Sequence, residues 1–490
     1  MASAWPELVF SGEHSAAALS RAVSRGTLRR LGRGIYSGDL AASPEDLVRR
    51  HLSKIVAHEF PGAVFVDRSV PTGGLPVDGV LFVDHPRQRP VELPGVTIWP
   101  RKGPGPQVGD MPLPDGLMLS SRARALLDNL VAPRQNAPVR RTLQSVELED
   151  WIDRLLREMG PERINAIRDE ARALEPVLGR TAEMERLDAL ISAALATRED
   201  VSITSPALRA RRDALPYDPH RVDVFVALAG TLAQTSPRSL PALPQDEARR
   251  TLLPFYEAYF SNFIEGTEFT IDEAADIVFG HEIPDDRPDD AHDVMGTYEI
   301  VSHREEMNRV PETFDELRET LLARHAVLMA SRPGKRPGEF KTKPNRAGAT
   351  EFVVPELVLG TLEQGFDILR QITSPFFRAA FMTFLVAEVH PFADGNGRMA
   401  RIMMNAELQH ADEARIIIPT VYRNNYLVAL RAGSLNRQFD PLVAMLTFAQ
   451  RYTARIDFVD RSTAELDLER TNAFRDATEA EMSGVRLVLP

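Results

Sequence analysis

The sequence predicts a mainly α-helical protein with a small mixed α/β region on its N-terminal side, and three observations lead there. Apolar residues recur at helical spacing through most of residues 146–458, β-like runs set apart by Pro and Gly are confined to residues 63–99, and the stretch before them joins a short helical pattern to a glycine-marked alternating one. The 490 residues suffice for two or three cores, and 43% hydrophobic with 26% charged residues is the composition of a globular chain, not a disordered or fibrous one. The absence of cysteine excludes disulfides, thiolate metal sites and cysteine nucleophiles, and fits an expected cytoplasmic setting. Neither a basic leader with an apolar run nor 18 consecutive apolar residues occurs, so no membrane partner is expected. A net charge of -12 excludes a molecule that coats nucleic acid with its whole surface, while leaving room for a local basic patch.

Such a patch stands at residues 14–38, where Arg21, Arg25, Arg29, Arg30 and Arg33 occur with no acid among them. Ala18, Leu19, Ala22 and Val23 share one side of a helix that Gly26 stops, and residues 27–38 alternate like a short hairpin with glycine turns. Helix followed by basic hairpin is the winged-helix pattern. The arginines then face DNA phosphates, or else form an ordinary solvated face or a protein contact. Short strands are expected at 63–66, 80–83 and 96–99, with a helix from about Ser120 closing this part. Thr27-Leu-Arg-Arg-Leu-Gly-Arg-Gly-Ile-Tyr36 and Leu119-Ser-Ser-Arg-Ala-Arg-Ala-Leu-Leu-Asp128 resemble the AbiEi-type antitoxins over about the first 130 residues, which implies operator DNA as a partner of the winged helix.

Residues 146–200 read as charged amphipathic helices, and Pro206, Pro216 and Pro219 mark the passage to a longer helical block broken by the Pro/Gly-rich stretch 332–355. Phe377, Phe381, Phe384, Leu385 and Glu388 recur at helical spacing, so His390 falls at a helix end that Pro391 closes. Asp394-Gly-Asn-Gly397 is a turn, and a helix opens at Arg398. A glycine turn entering a helix N-terminus presents backbone N–H groups and the positive end of the dipole, which together suit phosphate oxygens. Arg398 and Arg401 lie three residues apart on one helix face, within reach of a polyphosphate. Asp394 is the carboxylate able to hold Mg2+, and His390 is the one group in the loop whose ordinary pKa suits taking a proton from an alcohol near neutral pH.

His390-x-Phe392-x-Asp394-Gly395-Asn396-Gly397-Arg398-x-x-Arg401 matches the signature of the Fic family at every specified position, a coincidence expected about once in ten billion windows at average residue frequencies. Gly395, where the related Doc kinases typically carry lysine, points to nucleotidyl transfer. The resemblance implies an all-α Fido domain that moves AMP from ATP to a Ser, Thr or Tyr hydroxyl of a protein target, this chain included. His390 would be the base, Asp394 the Mg2+ ligand, Gly395, Asn396, Gly397 and Arg398 the phosphate holders, Arg401 the partner of the terminal phosphate, and Phe392 a packing residue. Residues 337–355 resemble the family's flap, a hairpin that aligns a target's backbone by strand addition. Tyr422 and Tyr426 lie either near the nucleotide or, for at least one of them, in the core.

Ser261-Asn-Phe-Ile-Glu-Gly266, in a helix expected over 255–265, resembles the inhibitory motif of Fic proteins, and Ser261 and Glu265 face the same way one turn apart. Glu265 paired with Arg401 would remove the arginine from the terminal phosphate; a helix ended by Gly266 is the plainer alternative. The expected organisation is therefore a winged helix over 1–55, an AbiEi-like α/β extension over 56–145, a helical connector over 146–215, a Fic domain over 216–460 and a polar tail over 461–490. Two other functions remain open: a hydrolase removing AMP with Glu265 orienting water, and a DNA-binding regulator in which the Fic domain is a sensor.

Overall fold

The computed structural model describes residues 5–133, 139–236, 239–242, 246–348 and 350–490. Ala349 in the flap and Met1 to Ala4, part of the N-terminal stretch read for a leader, lie outside the described residues. The chain is mainly helical and divides into two compact units, Met1–Ala214 and Leu215–Pro490.

In the first unit, Val9–Phe10, Ile35–Ser37 and Arg29–Gly32 form a small antiparallel sheet beside the helix Ala16–Ser24. A six-stranded mixed sheet follows, in which Val80–Asp84 pairs in parallel with Val96–Arg101 and antiparallel with Val64–Phe65. The edge strands Val91–Leu93 and Met111–Pro112 were not legible in the sequence, being too short for alternation to register. The boundary expected after residue 55 falls inside the helix Leu52–Glu59, and Leu31, Leu47 and Ile55 share one core with Val83, Ile98, Trp151 and Leu187. Wing strands, sheet and connector thus share one main core, while the wing helix packs Leu19 and Ala22 on Val9 and Leu28 within the wing. Arg124, fully buried, bridges Asp84 at 2.6 Å and Asp110 at 2.8 Å.

In the second unit the helix Pro375–Val389 runs through the centre. Phe377, Phe381, Phe384, Leu385 and Val389 are buried, and Glu388, the one acid of the helix, is satisfied by Arg221 and by Ser434 at 2.9 Å. Truncating a buried phenylalanine of this kind costs about 3–5 kcal/mol. Around it pack Pro219–Gln234, Phe314–Leu328, Val358–Leu369, Asn396–His410 and Asp440–Thr453. Residues 461–490, expected as a polar tail, contain the helices Arg461–Arg470 and Ala477–Ser483. Ala464, Leu468, Ala473 and Leu487 sink into a core shared with Tyr256 and Phe260. Their apolar residues are too few and too widely spaced to read as a helical stripe without the partner that covers them.

Candidate active site

His390 ends the central helix with φ 52 and ψ 59, a left-handed cap that turns the chain sharply into the loop. Its Nδ1 lies 3.2 Å from the carbonyl oxygen of Ala387, an acceptor only, so Nδ1 carries the proton and Nε2 is left with its lone pair. The ring stacks on Phe352 at 3.7 Å with 6° between planes. Burial, helped by the charge of Lys341, brings the imidazole down to about 4 in spite of its bond to Ala387 and the carboxylates of Glu265 and Asp394. His390 is therefore neutral at pH 7, in the tautomer a general base needs.

The loop is held from within and from the flap. The side chain of Asn396 accepts from the Phe392 N–H at 2.8 Å and donates to the Phe392 carbonyl at 2.9 Å, so this amide is spent on the loop's shape. That corrects the expectation for Asn396: only its backbone N–H is left for a phosphate. Phe392 is fully buried and stacks on His325 at 3.8 Å. His325 accepts from the Gly338 N–H at 3.0 Å through Nδ1 and so donates through Nε2 to the Asp394 carbonyl at 3.2 Å, tying the flap's start to the loop. Asn345 adds a bond to the Phe392 carbonyl at 2.9 Å. The flap itself is a two-residue-per-strand hairpin, Arg346–Ala347 with Thr350–Glu351, and Arg221 donates to the Glu351 carbonyl at 2.5 Å.

Gly395 takes φ 74 at the N-cap of Asn396–His410, and a Cβ there would stand 2.9 Å from Met329 Sδ. A Cβ at Gly397 would collide with Glu265 Oε1 and lie 3.0 Å from Oε2. A carboxylate therefore rests on the helix N-terminus, where negative charge is favoured. Glu265 itself caps the helix Glu247–Ile264, one residue beyond its last turn, and Gly266 follows with φ 94. Arg401, buried, donates to Glu265 Oε1 at 2.7 Å, to Ser261 Oγ at 2.9 Å and to the Ser261 carbonyl at 2.8 Å, with the ring of Tyr426 5.9 Å from its guanidinium carbon. Ser261, Glu265 and Arg401 are thus brought together, and Tyr426 is a buried packing residue.

Arg398 departs from its expected role. Its guanidinium is buried and pairs with Asp293 at 2.9 Å and with Asn262 Oδ1 at 3.2 Å, which commits it to anchoring the helix and leaves it no approach to a phosphate in this conformation. Asp293 also holds Arg332, at 2.9 Å. Nothing in the sequence marks Asp293, which lies about 100 residues away and is joined to the loop only by the fold.

Asp394 accepts from the Gly395 N–H at 2.8 Å and pairs with Lys335 at 3.0 Å. Burial pushes this carboxyl up, but the Lys335 ammonium and the Gly395 N–H outweigh it and hold the group below the ordinary aspartate range. Lys341, like Asp293 and Lys335, is a residue that sequence reasoning missed. It donates to Asn345 Oδ1 at 2.7 Å and lies 3.4 Å from the Val389 carbonyl, and burial, with the nearby Arg221, brings its ammonium down to about 7. Lys341, and not His390, is accordingly the group here that changes charge near neutral pH.

The arrangement holds a neutral imidazole beside an anion-accepting helix N-terminus, a carboxylate paired with a lysine, and an arginine, which is the equipment for proton removal next to a bound polyphosphate. Residues 314–408 match the Fic/DOC family. The chain is 31% identical over 140 residues to the protein adenylyltransferase fic-1 of Caenorhabditis briggsae, covering 27% of this chain and 28% of that protein. It is 24% identical over 240 residues to the protein adenylyltransferase Fic of Drosophila willistoni, covering 48% and 47%. The chain thus spans less than half the length of these relatives. Among solved structures, Fic-1 of C. elegans aligns over 62% of this chain and 94% of its own at 20% identity and a TM-score of 0.36.

Proposed function

We propose, from the premise that residues 314–408 are a Fic/DOC domain, that this protein transfers AMP from ATP to a Ser, Thr or Tyr hydroxyl of a target protein or of its own chain, and that Glu265 keeps it silent. The observation that carries the reading is the free lone pair of His390 Nε2 at the mouth of the loop whose helix N-terminus is occupied by the Glu265 carboxylate. With ATP bound, the target oxygen forms its bond to the α-phosphorus as His390 Nε2 takes the hydroxyl proton. The bond to the β-phosphate oxygen breaks, and pyrophosphate leaves. Backbone N–H groups at residues 396 and 397 and the Arg401 guanidinium, once freed, balance the phosphate charge. The flap hairpin offers strand edges on which an extended target segment can pair.

Mg2+ fits Asp394 as a metal brought in by the nucleotide. Among the described residues no group of three or more potential ligands surrounds the site, and Mg2+ commonly uses one or two carboxylates with phosphate oxygens. Its contribution would be to neutralise polyphosphate charge. Lys335 occupies that place on Asp394 here and has to yield it.

Incubating the chain with labelled ATP, as wild type and as Glu265→Gly, and reading every labelled chain by mass spectrometry tests the proposal. Wild type is expected to label weakly and Glu265→Gly strongly, with Arg401→Ala cancelling the gain in a non-additive cycle. One observation favours the hydrolase alternative: the Glu265 side chain keeps 35% of its exposure, and Oε2 stands over the loop where it can orient water. Loss of an existing wild-type activity on Glu265→Gly would establish that reading instead.

For the first unit, we propose a polyanion contact through Arg21, Arg25, Arg30 and Arg33, all exposed, with operator DNA as the partner. Arg29 is removed from that set because its guanidinium donates to the carbonyls of Leu40 and Ala42, both at 2.7 Å.

A further inference from the structure

A second concentration of positive charge lies in the catalytic unit, at the far end of two helices that also build the loop. A cavity of about 160 Å³ opens where the first turns of Glu247–Ile264, the end of Pro288–Ser302 and the last turn of Asn396–His410 meet, and Arg249, Arg250, Arg304 and Arg415 line it with no acidic residue among the lining. From Asn396 to Gln409 the helical rise spans about 20 Å, so the cavity does not belong to the catalytic loop.

Two of the four charges are already balanced. Arg415 is buried and pairs with Glu257 at 3.0 Å, and Arg249 pairs with Asp246 and, at 3.2 Å, with Asp457. Even so, Arg249 Nε is buried without a hydrogen-bond partner. Arg250 and Arg304 are exposed at the rim and make no hydrogen bond or ion pair through their side chains among the described residues. Converging like charges cost free energy unless a counter-charge is supplied, and an unpaired buried donor adds to that cost. Of the remaining polar lining, Gln409 uses its Oε1 to accept from Arg415 at 3.1 Å, so its amide NH2 is what it offers the cavity, while the Ser302 hydroxyl donates to the Glu299 carbonyl at 3.4 Å.

We propose that this cavity is a binding site for a phosphoanion of pyrophosphate size, free or as the phosphate end of a larger metabolite. Guanidinium forks match phosphate oxygens, and a cavity of this volume has room for two phosphate groups without a base. The site binds through Arg250 and Arg304, with the Gln409 amide beneath.

Calorimetric titration of the full chain with inorganic pyrophosphate, magnesium chelated, tests this. The binding that survives Arg401→Ala is the readout, because that change weakens the catalytic loop's hold on phosphate and leaves the cavity intact. Adding Arg250→Ala and Arg304→Ala is expected to lower the surviving affinity at least ~10-fold, since a hydrogen bond to a charged group contributes about 1.5–3 kcal/mol. Absence of any surviving binding, or survival unchanged by the arginine pair, overturns the proposal. Arg250→Ala with Arg304→Ala in an otherwise wild-type chain gives a second reading at two exposed positions. The rise in Tm produced by pyrophosphate has to shrink, and an undiminished rise overturns the site as well.

Discussion

At the residue scale the tautomer of His390 decides what the loop can do. With Nδ1 bonded to the Ala387 carbonyl, the ring accepts only at Nε2, and burial keeps it uncharged down to about pH 4. A base with a depressed pKa is present above that value and lost as pH falls through it. In the Glu265→Gly background, kcat/KM is therefore expected to hold its value through pH 6.5 and drop along an acid limb near pH 4; a limb near 6.5 would mean an imidazole in contact with water. His390→Ala should cut transfer by ~100- to 10,000-fold while Mg-ATP affinity changes little, measured by direct nucleotide binding. Lys335 bears on the opposite charge. Because its ammonium occupies Asp394, Lys335→Met should lower the Mg2+ concentration for half-maximal activity by up to ~5-fold, the range of an exposed ion pair. The residues that touch nucleotide in this reading were legible because their spacing in one loop is itself the pattern. Asp293, Lys335 and Lys341 were not, since each reaches the loop from a different element and none belongs to a local repeat.

In the proposed mechanism the helix Glu247–Ile264 is the element on which regulation turns. Its extent was only half legible: the aromatic run from Phe255 marks the buried face, but its start at Glu247 depends on the Asp246 side chain capping the Arg249 N–H at 2.9 Å after a proline-rich approach. At its other end Arg423 donates to the Ile264 carbonyl at 2.8 Å, fixing the turn from which Glu265 projects. Removing that contact leaves Glu265 and Arg401 in place but loosens their alignment. Arg423→Ala should accordingly raise automodification by ~5-fold, well short of Glu265→Gly, because a hydrogen bond of this kind contributes about 1 kcal/mol. Equal release by the two variants would mean that the helix end, and not the carboxylate, is what holds the enzyme silent. The flap was legible from its Pro and Gly punctuation, whereas its tether through His325 to Asp394 was not, because a buried histidine in a helix gives no sign of which backbone groups it joins.

For the molecule as a whole, the sequence revealed a helical half that carries the candidate site and a mixed α/β half. It did not reveal that wing strands, sheet and connector contribute to one main core before Leu215, because their apolar faces are each unremarkable until they meet. The basic stretch also divides on inspection of the fold: Arg29 is a structural brace, while Arg25 and Arg33 are free to meet a polyanion. Replacing Arg25 and Arg33 with alanine should flatten the salt dependence of promoter-DNA binding by roughly two units of log-log slope, measured by filter binding over a range of salt. Arg29→Ala should instead lower thermal stability with little change of slope. DNA binding that ignores salt, or none at all, would assign this face to a protein partner.

If the proposed restraint holds, the pairing of Glu265 with Arg401 within a single polypeptide also sets how the activity responds to abundance. A restraint supplied by a separate protein weakens whenever synthesis of the two falls out of step, whereas one tethered in the same chain acts at a fixed effective concentration set by the fold. Dilution, overproduction and unequal turnover then leave the silent fraction unchanged. Only something that alters the equilibrium inside the molecule, such as a ligand, a partner or a covalent mark, can shift it.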